Sequence, residues 1–142
     1  MTGSTIYFLR YNSERMVSMF EVSSEASFSA AHRLHNYNGP CENTHGHNWL
    51  VRASIRCKKL NDIGIGIDFK KLKSALHEIL SELDHRDLNT LFDTMGRNPS
   101  SENIARYVYE ELCGLINEPN CRVSRIDVYE TPGNRASYFE HD

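Results

Sequence analysis

Apolar and polar residues alternate over the first part of the chain that has a regular pattern. From Phe20 to Ala30 every second residue is apolar or small, and the residues between them are Glu or Ser. The segment HNWLVRASIRC continues this pattern, with an apolar face from Trp49 to Cys57 and arginines on the opposite face. A period of two is the signature of a half-buried strand, so the two segments predict two β-strands.

Two later segments have helical periodicity. FKKLKSALHEILSEL follows Asp68, a residue type that caps helices, and a second helix is predicted to begin after PSS with Glu102 in its first turn. The first helix has an apolar stripe of Phe69, Leu72, Leu76, Ile79, Leu80 and Leu83. The stripe of the second consists of Ile104, Val108, Leu112 and Leu115.

The last part of the chain predicts two more strands. CRVSRIDVYET follows the turn NEPN, and PGN leads into the short strand RASYFE. The order β-β-α-α-β-β predicts an α+β fold, with a four-stranded antiparallel sheet covered on one face by two helices. Because two helices leave sheet edges uncovered, a homo-oligomer is expected. Residues 1–18 are polar and irregular and are interpreted as an N-terminal extension of a single domain, residues 19–142.

Composition narrows the possible partners. The net charge is −3 with no block of like charges, so neither a nucleic-acid partner nor an anionic membrane surface is expected. No apolar run is long enough for a membrane span or a signal peptide, which predicts a cytoplasmic protein. The 4 cysteines form no C-x-x-C pair and lack the spacing of a disulfide framework, so reduced thiols are expected.

Three histidines continue the strand pattern. His32 keeps the phase of the first strand, and His45 and His47 keep the phase of the second strand, so all three should extend from core-type faces at one end of a hairpin. Three converging imidazoles without a fourth protein ligand are typical of a catalytic zinc with an open position. An H-x-H pair alone is weak evidence, and His35, which is out of phase, is interpreted as a surface histidine.

Several motifs together resemble one known family. FSAAHRL, CENTHGHNW, IGIDFKKLK, LDHRDLN, NPSSENIA and VYET occur in family order between Phe20 and Glu140 and resemble the 6-pyruvoyltetrahydropterin synthase / 6-carboxytetrahydropterin synthase family, which has the tunnelling fold. The resemblance implies a lyase that acts on 7,8-dihydroneopterin triphosphate, with Zn²⁺ bound by His32, His45 and His47. It also implies trimers that close a barrel and pair into a homohexamer, with active sites between subunits.

The resemblance assigns roles to three residues near these motifs. Cys41 matches the general base of the family, since a thiol near a divalent cation and a histidine can act as a base near neutral pH. Asp84 and His85 match an Asp–His pair that moves a second proton. Without the resemblance, Cys41 would be interpreted as an inert cysteine, and the Asp–His pair as charges at a helix end.

The resemblance also implies a pterin-binding set. Glu130 matches the pterin anchor, and its parity places it on an apolar face where a carboxylate without a partner is costly. Ser100 and Ser101 match residues that meet the pterin edge, and helix capping is the alternative interpretation. Glu102 is assigned to the same substrate-binding set, and its alternative is a charge in the first turn that is favourable to the helix dipole. No P-loop or dinucleotide motif binds the triphosphate. Three lysines could attract it, although a solvated helix face explains them better: Lys70, Lys71 and Lys73.

The residues before His45 bear on the product. The three-residue gap from Cys41 to His45 resembles the 6-carboxytetrahydropterin branch of the queuosine pathway, whereas the pyruvoyl branch has a longer gap. Glu42 stands three residues before His45, the spacing of a branch of the family that uses glutamate to form 6-hydroxymethyl-7,8-dihydropterin for folate. Because this chain has both residues, one protein could support both products. The non-enzyme alternative is a pterin- or zinc-binding homologue without turnover, against which the presence of the catalytic set argues.

Overall fold

The computed structural model describes residues 18–141. The predicted N-terminal extension, residues 1–18, lies outside this range except for its last residue. The strands are β1 (Phe20–His32), β2 (His45–Cys57), β3 (Cys121–Thr131) and β4 (Asn134–Tyr138). The helices are α1 (Phe69–Ser81), α2 (Leu88–Phe92) and α3 (Ser101–Ile116), with short 3₁₀ turns at Pro40–Glu42 and Asp93–Met95.

The strands form one four-stranded antiparallel sheet in the order β1-β2-β3-β4. The predicted α+β class and antiparallel sheet are confirmed, but the expectation of two helices is wrong, because α2 makes a third. Asp87 caps α2, with its side chain accepting a hydrogen bond from the backbone N–H of Asn89. A helix of 5 residues is too short to show helical periodicity, and this is why the pattern missed it.

The core lies between the helices and one face of the sheet. Trp49, Val51, Ala53 and Ile55 of β2 are fully buried there. α1 packs on β1, and α3 packs on β3 and β4. The predicted stripes are largely buried, but Phe69 is 59% exposed and Leu115 is 45% exposed, which corrects the predicted stripes at these two positions. Each of the two lies in a terminal turn of its helix, where fewer elements cover a side chain.

Two cysteines correct the expectation of reduced thiols. Cys57 and Cys121 form a disulfide, whereas Cys41 and Cys113 are free. The pair occupies directly opposed positions of β2 and β3, with 4.2 Å between the Cα atoms. Opposed residues in an antiparallel ladder approach closely. The strand register brings together residues 64 positions apart, and cysteine spacing alone does not reveal such a pair.

None of the helices in the described part of the chain is long and apolar enough to cross a membrane.

Candidate active site

The structure brings the three predicted histidines together at one end of the sheet. His32 is the last residue of β1 and His45 is the first of β2, and the two are directly paired in the strand register. His47 lies two residues further along β2 on the same face. The fourth member of the cluster is Glu130 of β3, and one potential ligand atom from each of the four residues lies within 4.8 Å of the others. Strand pairing therefore builds a compact group of possible metal ligands.

Backbone carbonyls orient two of the imidazoles. Nδ1 of His32 lies 2.7 Å from the carbonyl oxygen of Pro99, and Nδ1 of His45 lies 2.7 Å from that of Asn43. A carbonyl oxygen only accepts, so each Nδ1 carries the hydrogen and donates. In a neutral imidazole this leaves the lone pair on Nε2. Burial is the main cause that lowers the pKa of His32 below its ordinary value, which favours this neutral form.

The two free lone pairs face each other. Nε2 of His32 lies only 3.0 Å from Nε2 of His45, and with both hydrogens on Nδ1 no hydrogen bond joins the two atoms. Nε2 of His47 is also buried, and it has no hydrogen-bond partner among the described residues. Acceptor atoms this close repel one another unless a cation lies between them. The arrangement therefore fits a bound cation.

The donor set fits zinc in particular. Three imidazole nitrogens and one carboxylate oxygen are common zinc ligands, and bonds of about 2.0–2.1 Å in a tetrahedron place neighbouring ligands about 3.3 Å apart. The structure has 3.0 Å between His32 and His45, 3.4 Å between His32 and Glu130, and 2.8 Å between His47 and Glu130. The carbonyls at Nδ1 of two histidines are the outer-shell partners usual for metal-bound histidines.

Glu130 has a partner that the sequence did not indicate. Parity correctly places it on the face of β3 that also buries Val128, and its side chain is 26% exposed. Its Oε1 lies 2.8 Å from His47 Nε2, although outside hydrogen-bond geometry, and 3.4 Å from His32 Nε2. The carboxylate thus belongs to the histidine cluster as well as to the neighbouring cavity.

A cavity of about 280 Å³ opens beside the cluster, and we call it the Cys41 cavity. The predicted site residues on its wall are His32, Cys41, Ser100, Ser101, Glu102 and Glu130. Cys41 is half-buried, whereas Glu42 is exposed and does not line this cavity. Ser100 caps α3 by accepting a hydrogen bond from the backbone N–H of Asn103, so the capping interpretation holds. The cavity therefore combines a thiol, metal-type ligands and the polar start of α3.

The Asp84–His85 pair lies elsewhere in the chain. Asp84 accepts a hydrogen bond from the backbone N–H of Ser29 at 2.8 Å, and this bond is the largest cause that lowers the pKa of the carboxyl group. Nδ1 of His85 is 2.9 Å from Asp84 Oδ2, and the His85 side chain is 81% exposed. His85 has a left-handed backbone with φ of 56°, and its backbone N–H donates to Ser29 O. The two residues form a fixed pair.

His85 lines a second cavity of about 450 Å³, which also includes Gly46 and His47. This cavity shares no lining residue with the Cys41 cavity. Within one chain, the structure therefore does not bring the Asp84–His85 pair to the same cavity as Cys41.

Two asparagines that sequence reasoning missed hold the loop between β1 and β2. The side-chain amide of Asn89 accepts from Arg33 N at 2.9 Å and donates to Arg33 O at 3.0 Å. Asn98 makes the same pair of bonds with His35, at 2.8 Å and 3.0 Å. Each side-chain amide thus pairs with both the N–H and the C=O of one residue, as the backbone of a neighbouring strand does in a β-ladder. Nothing in the local pattern signals these partners, because they are separated by 56 and 63 residues.

The same loop is tied to Cys41. The backbone N–H of Leu34 donates to Cys41 O at 2.8 Å. His35 is a surface histidine as predicted, 44% exposed, with Nε2 3.0 Å from Asp93 Oδ1. The residues after His32 therefore connect the histidine cluster, the asparagine contacts and the thiol.

The sheet, its helices on one face and the histidine cluster define an α+β protein with a candidate metal centre. A family model described as 6-pyruvoyl tetrahydropterin synthase matches residues 21–141. The chain belongs to this family, and the resemblance found in the motifs is confirmed. Its members are pterin synthases that act as lyases.

Similar proteins support the family assignment, but their names indicate two different pterin products. The 6-carboxy-5,6,7,8-tetrahydropterin synthase of Synechocystis sp. is 32% identical over 129 residues, covering 85% of this chain and 94% of the relative. The 6-pyruvoyl tetrahydrobiopterin synthase of Drosophila melanogaster is 30% identical over 126 residues, covering 79% and 74%. The solved structure of Caenorhabditis elegans 6-pyruvoyl tetrahydropterin synthase is 30% identical, with a TM-score of 0.76 and coverage of 88% and 98%. Family membership alone therefore does not select between the two products.

Proposed function

We propose that this chain is a zinc-dependent 6-carboxy-5,6,7,8-tetrahydropterin synthase. It would convert 7,8-dihydroneopterin triphosphate to 6-carboxy-5,6,7,8-tetrahydropterin and release acetaldehyde and triphosphate. The observation that carries the proposal is the position of Cys41, which is half-buried on the wall of a cavity shared with His32 and Glu130. Glu42, the alternative base, is exposed outside that wall.

His32, His45 and His47 would hold the metal. Two of them have their Nδ1–H groups bound by backbone carbonyls, so their Nε2 lone pairs are already directed to the centre of the cluster. A bound zinc ion supplies a Lewis acid that makes substrate hydroxyl groups more acidic. The protein contributes preorganisation, because the β1–β2 register fixes the imidazoles before the metal binds.

Cys41 would act as the general base on the substrate side chain. Its place in the 3₁₀ turn Pro40–Glu42, together with the contact from Leu34 N to its carbonyl oxygen, holds the thiol at the cavity. A base must lie within hydrogen-bond reach of the proton that it removes. Substrate that contacts the histidine cluster from this cavity would present its side chain next to the thiol.

The start of α3 and Glu130 would bind the pterin ring. A carboxylate can accept two parallel hydrogen bonds from the amino group and ring N–H of a guanine-like edge. Ser100, Ser101 and Glu102 supply hydroxyl and carboxylate groups on the same wall. The cavity thus offers the polar groups that a pterin edge requires.

Asp84 and His85 would act on a site completed by a neighbouring subunit. The two cavities share no lining residue, and β1 and β4 are the edges of the sheet within residues 18–141, where another subunit can pair. We assign a homohexamer of two barrel-closing trimers. Mixed assemblies of inactive Cys41→Ala and His85→Ala subunits should then recover part of the activity. Mixed hexamers that form but stay inactive would contradict a shared site.

A second product has a specific observation in its favour. Glu42 is adjacent to Cys41 in the same 3₁₀ turn, so a modest change of this turn would present the carboxylate in place of the thiol. The corresponding product is 6-hydroxymethyl-7,8-dihydropterin. The relatives named 6-pyruvoyl synthases make 6-pyruvoyltetrahydropterin the third alternative.

Product analysis tests these possibilities together. The protein is incubated with 7,8-dihydroneopterin triphosphate, and mass spectrometry identifies the pterin and the released carbon fragment. Cys41→Ala should abolish the carboxy product, whereas Glu42→Ala should remove only the hydroxymethyl product. Cys113→Ala is the matched control, because Cys113 is the other free thiol and does not line the Cys41 cavity. An unchanged carboxy product in Cys41→Ala would refute the assignment of the base.

A further inference from the structure

Glu130 belongs both to the cluster of possible metal ligands and to the wall of the Cys41 cavity. Its Oε1 lies 2.8 Å from His47 Nε2 and 3.4 Å from His32 Nε2, within the group of possible metal ligands. The same residue lines the Cys41 cavity, where the proposed pterin site begins. One carboxylate therefore lies between the metal ligands and the substrate cavity.

The contacts of Glu130 with the histidines are those of a ligand set rather than of hydrogen bonds. His32 donates from Nδ1 to Pro99 O, so its Nε2 faces the carboxylate with a lone pair and not with a hydrogen. The short contact with His47 lies outside hydrogen-bond geometry. An anionic oxygen next to the lone pair of His32 Nε2 is unfavourable unless a cation binds both atoms. Three nitrogens and one oxygen complete the four-coordinate set of a closed zinc site.

A closed site conflicts with the role of pterin anchor. Anchoring uses both carboxylate oxygens, which accept two parallel hydrogen bonds from the pterin edge. Coordination uses Oε1 for the cation instead. Because one oxygen cannot serve both contacts well, metal ligation and pterin binding are alternative states of the same side chain.

We infer that Glu130 is an exchangeable fourth ligand of the metal centre. Without a pterin it closes the coordination of the cation, and the pterin edge draws it away and opens the position that the substrate side chain needs. The inference rests on the proposed zinc- and pterin-dependent function. Its consequence is selectivity, because a ligand without a guanine-like edge does not release the carboxylate and so leaves the centre closed.

Cobalt substitution tests the exchange without turnover. Co²⁺ replaces zinc in the full chain, and visible absorption reports the ligands of the cation. Glu130→Ala should change this spectrum and weaken Co²⁺ affinity about tenfold or more, as loss of even an outer-shell partner does. Unsubstituted pterin, which has the edge but no side-chain hydroxyls, should shift the wild-type spectrum toward that of Glu130→Ala and leave the variant spectrum unchanged.

Two variants control for the fold and for charge. Glu130→Gln keeps the side-chain volume and should also weaken Co²⁺ binding, while circular dichroism verifies that the sheet is intact. Glu102→Gln is the matched control, because Glu102 lines the same cavity but is not part of the ligand cluster, and it should keep wild-type Co²⁺ affinity.

Two results would overturn the inference. One is wild-type Co²⁺ affinity and spectrum in Glu130→Ala, and the other is a wild-type spectrum that saturating pterin does not move. Neither result would contradict the proposed reaction, which is tested separately by product formation from 7,8-dihydroneopterin triphosphate. Loss of that product formation with the cobalt shifts intact would refute the proposed function and leave the exchange standing.

Discussion

Asn89→Ala should lower the free energy of unfolding by about 1–3 kcal/mol, since each net hydrogen bond contributes about 0.5–1.5 kcal/mol. The variant removes both side-chain bonds to the backbone of Arg33, at 2.9 Å and 3.0 Å. Asn89 is only 4% exposed, so water replaces the lost amide poorly. Asn98→Ala is the matched variant, because half-buried Asn98 makes the same two bonds with the backbone of His35, and these bonds are exposed to solvent. We expect less than about 1 kcal/mol there, because water can substitute.

Urea unfolding measures both variants. Trp49 is the only tryptophan and is fully buried, so its fluorescence reports loss of the core. Metal-free protein at one fixed concentration is required, because ligand binding and subunit association both shift apparent stability. An Asn89→Ala protein within about 0.5 kcal/mol of wild type would refute the reasoning. Equal losses in the two variants would show that burial does not govern the contribution of these amides.

Three further outcomes follow from other contacts. The His45→Ala, His47→Ala double variant should lose bound zinc by elemental analysis, and full occupancy would contradict the ligand assignment. Thiol titration in denaturant without reductant should find the 2 free cysteines, and replacing Cys57 and Cys121 by serine should cost about 2–4 kcal/mol in unfolding free energy. Burial, as the largest cause, raises the pKa of Tyr109 to about 12, so its contribution to stability is present below pH 10.0 and is lost as pH rises through about 12. Tyr109→Phe should flatten this alkaline decline in urea-unfolding curves, and an unchanged slope would contradict the shift.

Local periodicity was enough to predict the strands and the meeting of the histidines. His32 and His47 lie in phase with buried residues of their strands, and antiparallel pairing then brings them to the same end. The helix α2 escaped prediction because it spans less than two turns. Parity predicted the face on which Glu130 lies, but its contact with His47 depends on the pairing of β2 with β3, which a residue pattern does not specify.

Long-range polar contacts were also beyond sequence reasoning. The side chain of Asn89 meets Arg33 only after the chain has folded back from α2 to the loop. The disulfide of Cys57 and Cys121 has the same origin, because the register of two strands creates it. Such partners are chosen by tertiary structure, whereas propensity and spacing describe only neighbours along the chain.

The β1–β2 ladder ends at the pair His32 and His45. Strand pairing therefore positions these candidate metal ligands, whereas Cys41 lies in the segment that joins the strands. His32 and His45 are held opposite each other by strand pairing and not by the residues that join them. Lengthening the middle of the joining segment, residues 33–44, would cost about 0.6 kcal/mol of loop entropy per doubling, provided that the contacts of Arg33, His35 and Asn43 are kept. The hairpin would then keep the candidate metal ligands in place, while the part of the segment around Cys41, the proposed base, could vary. Under the proposed function, changes around Cys41 would alter the product without displacing the three histidines, as long as Asn43 continues to orient His45.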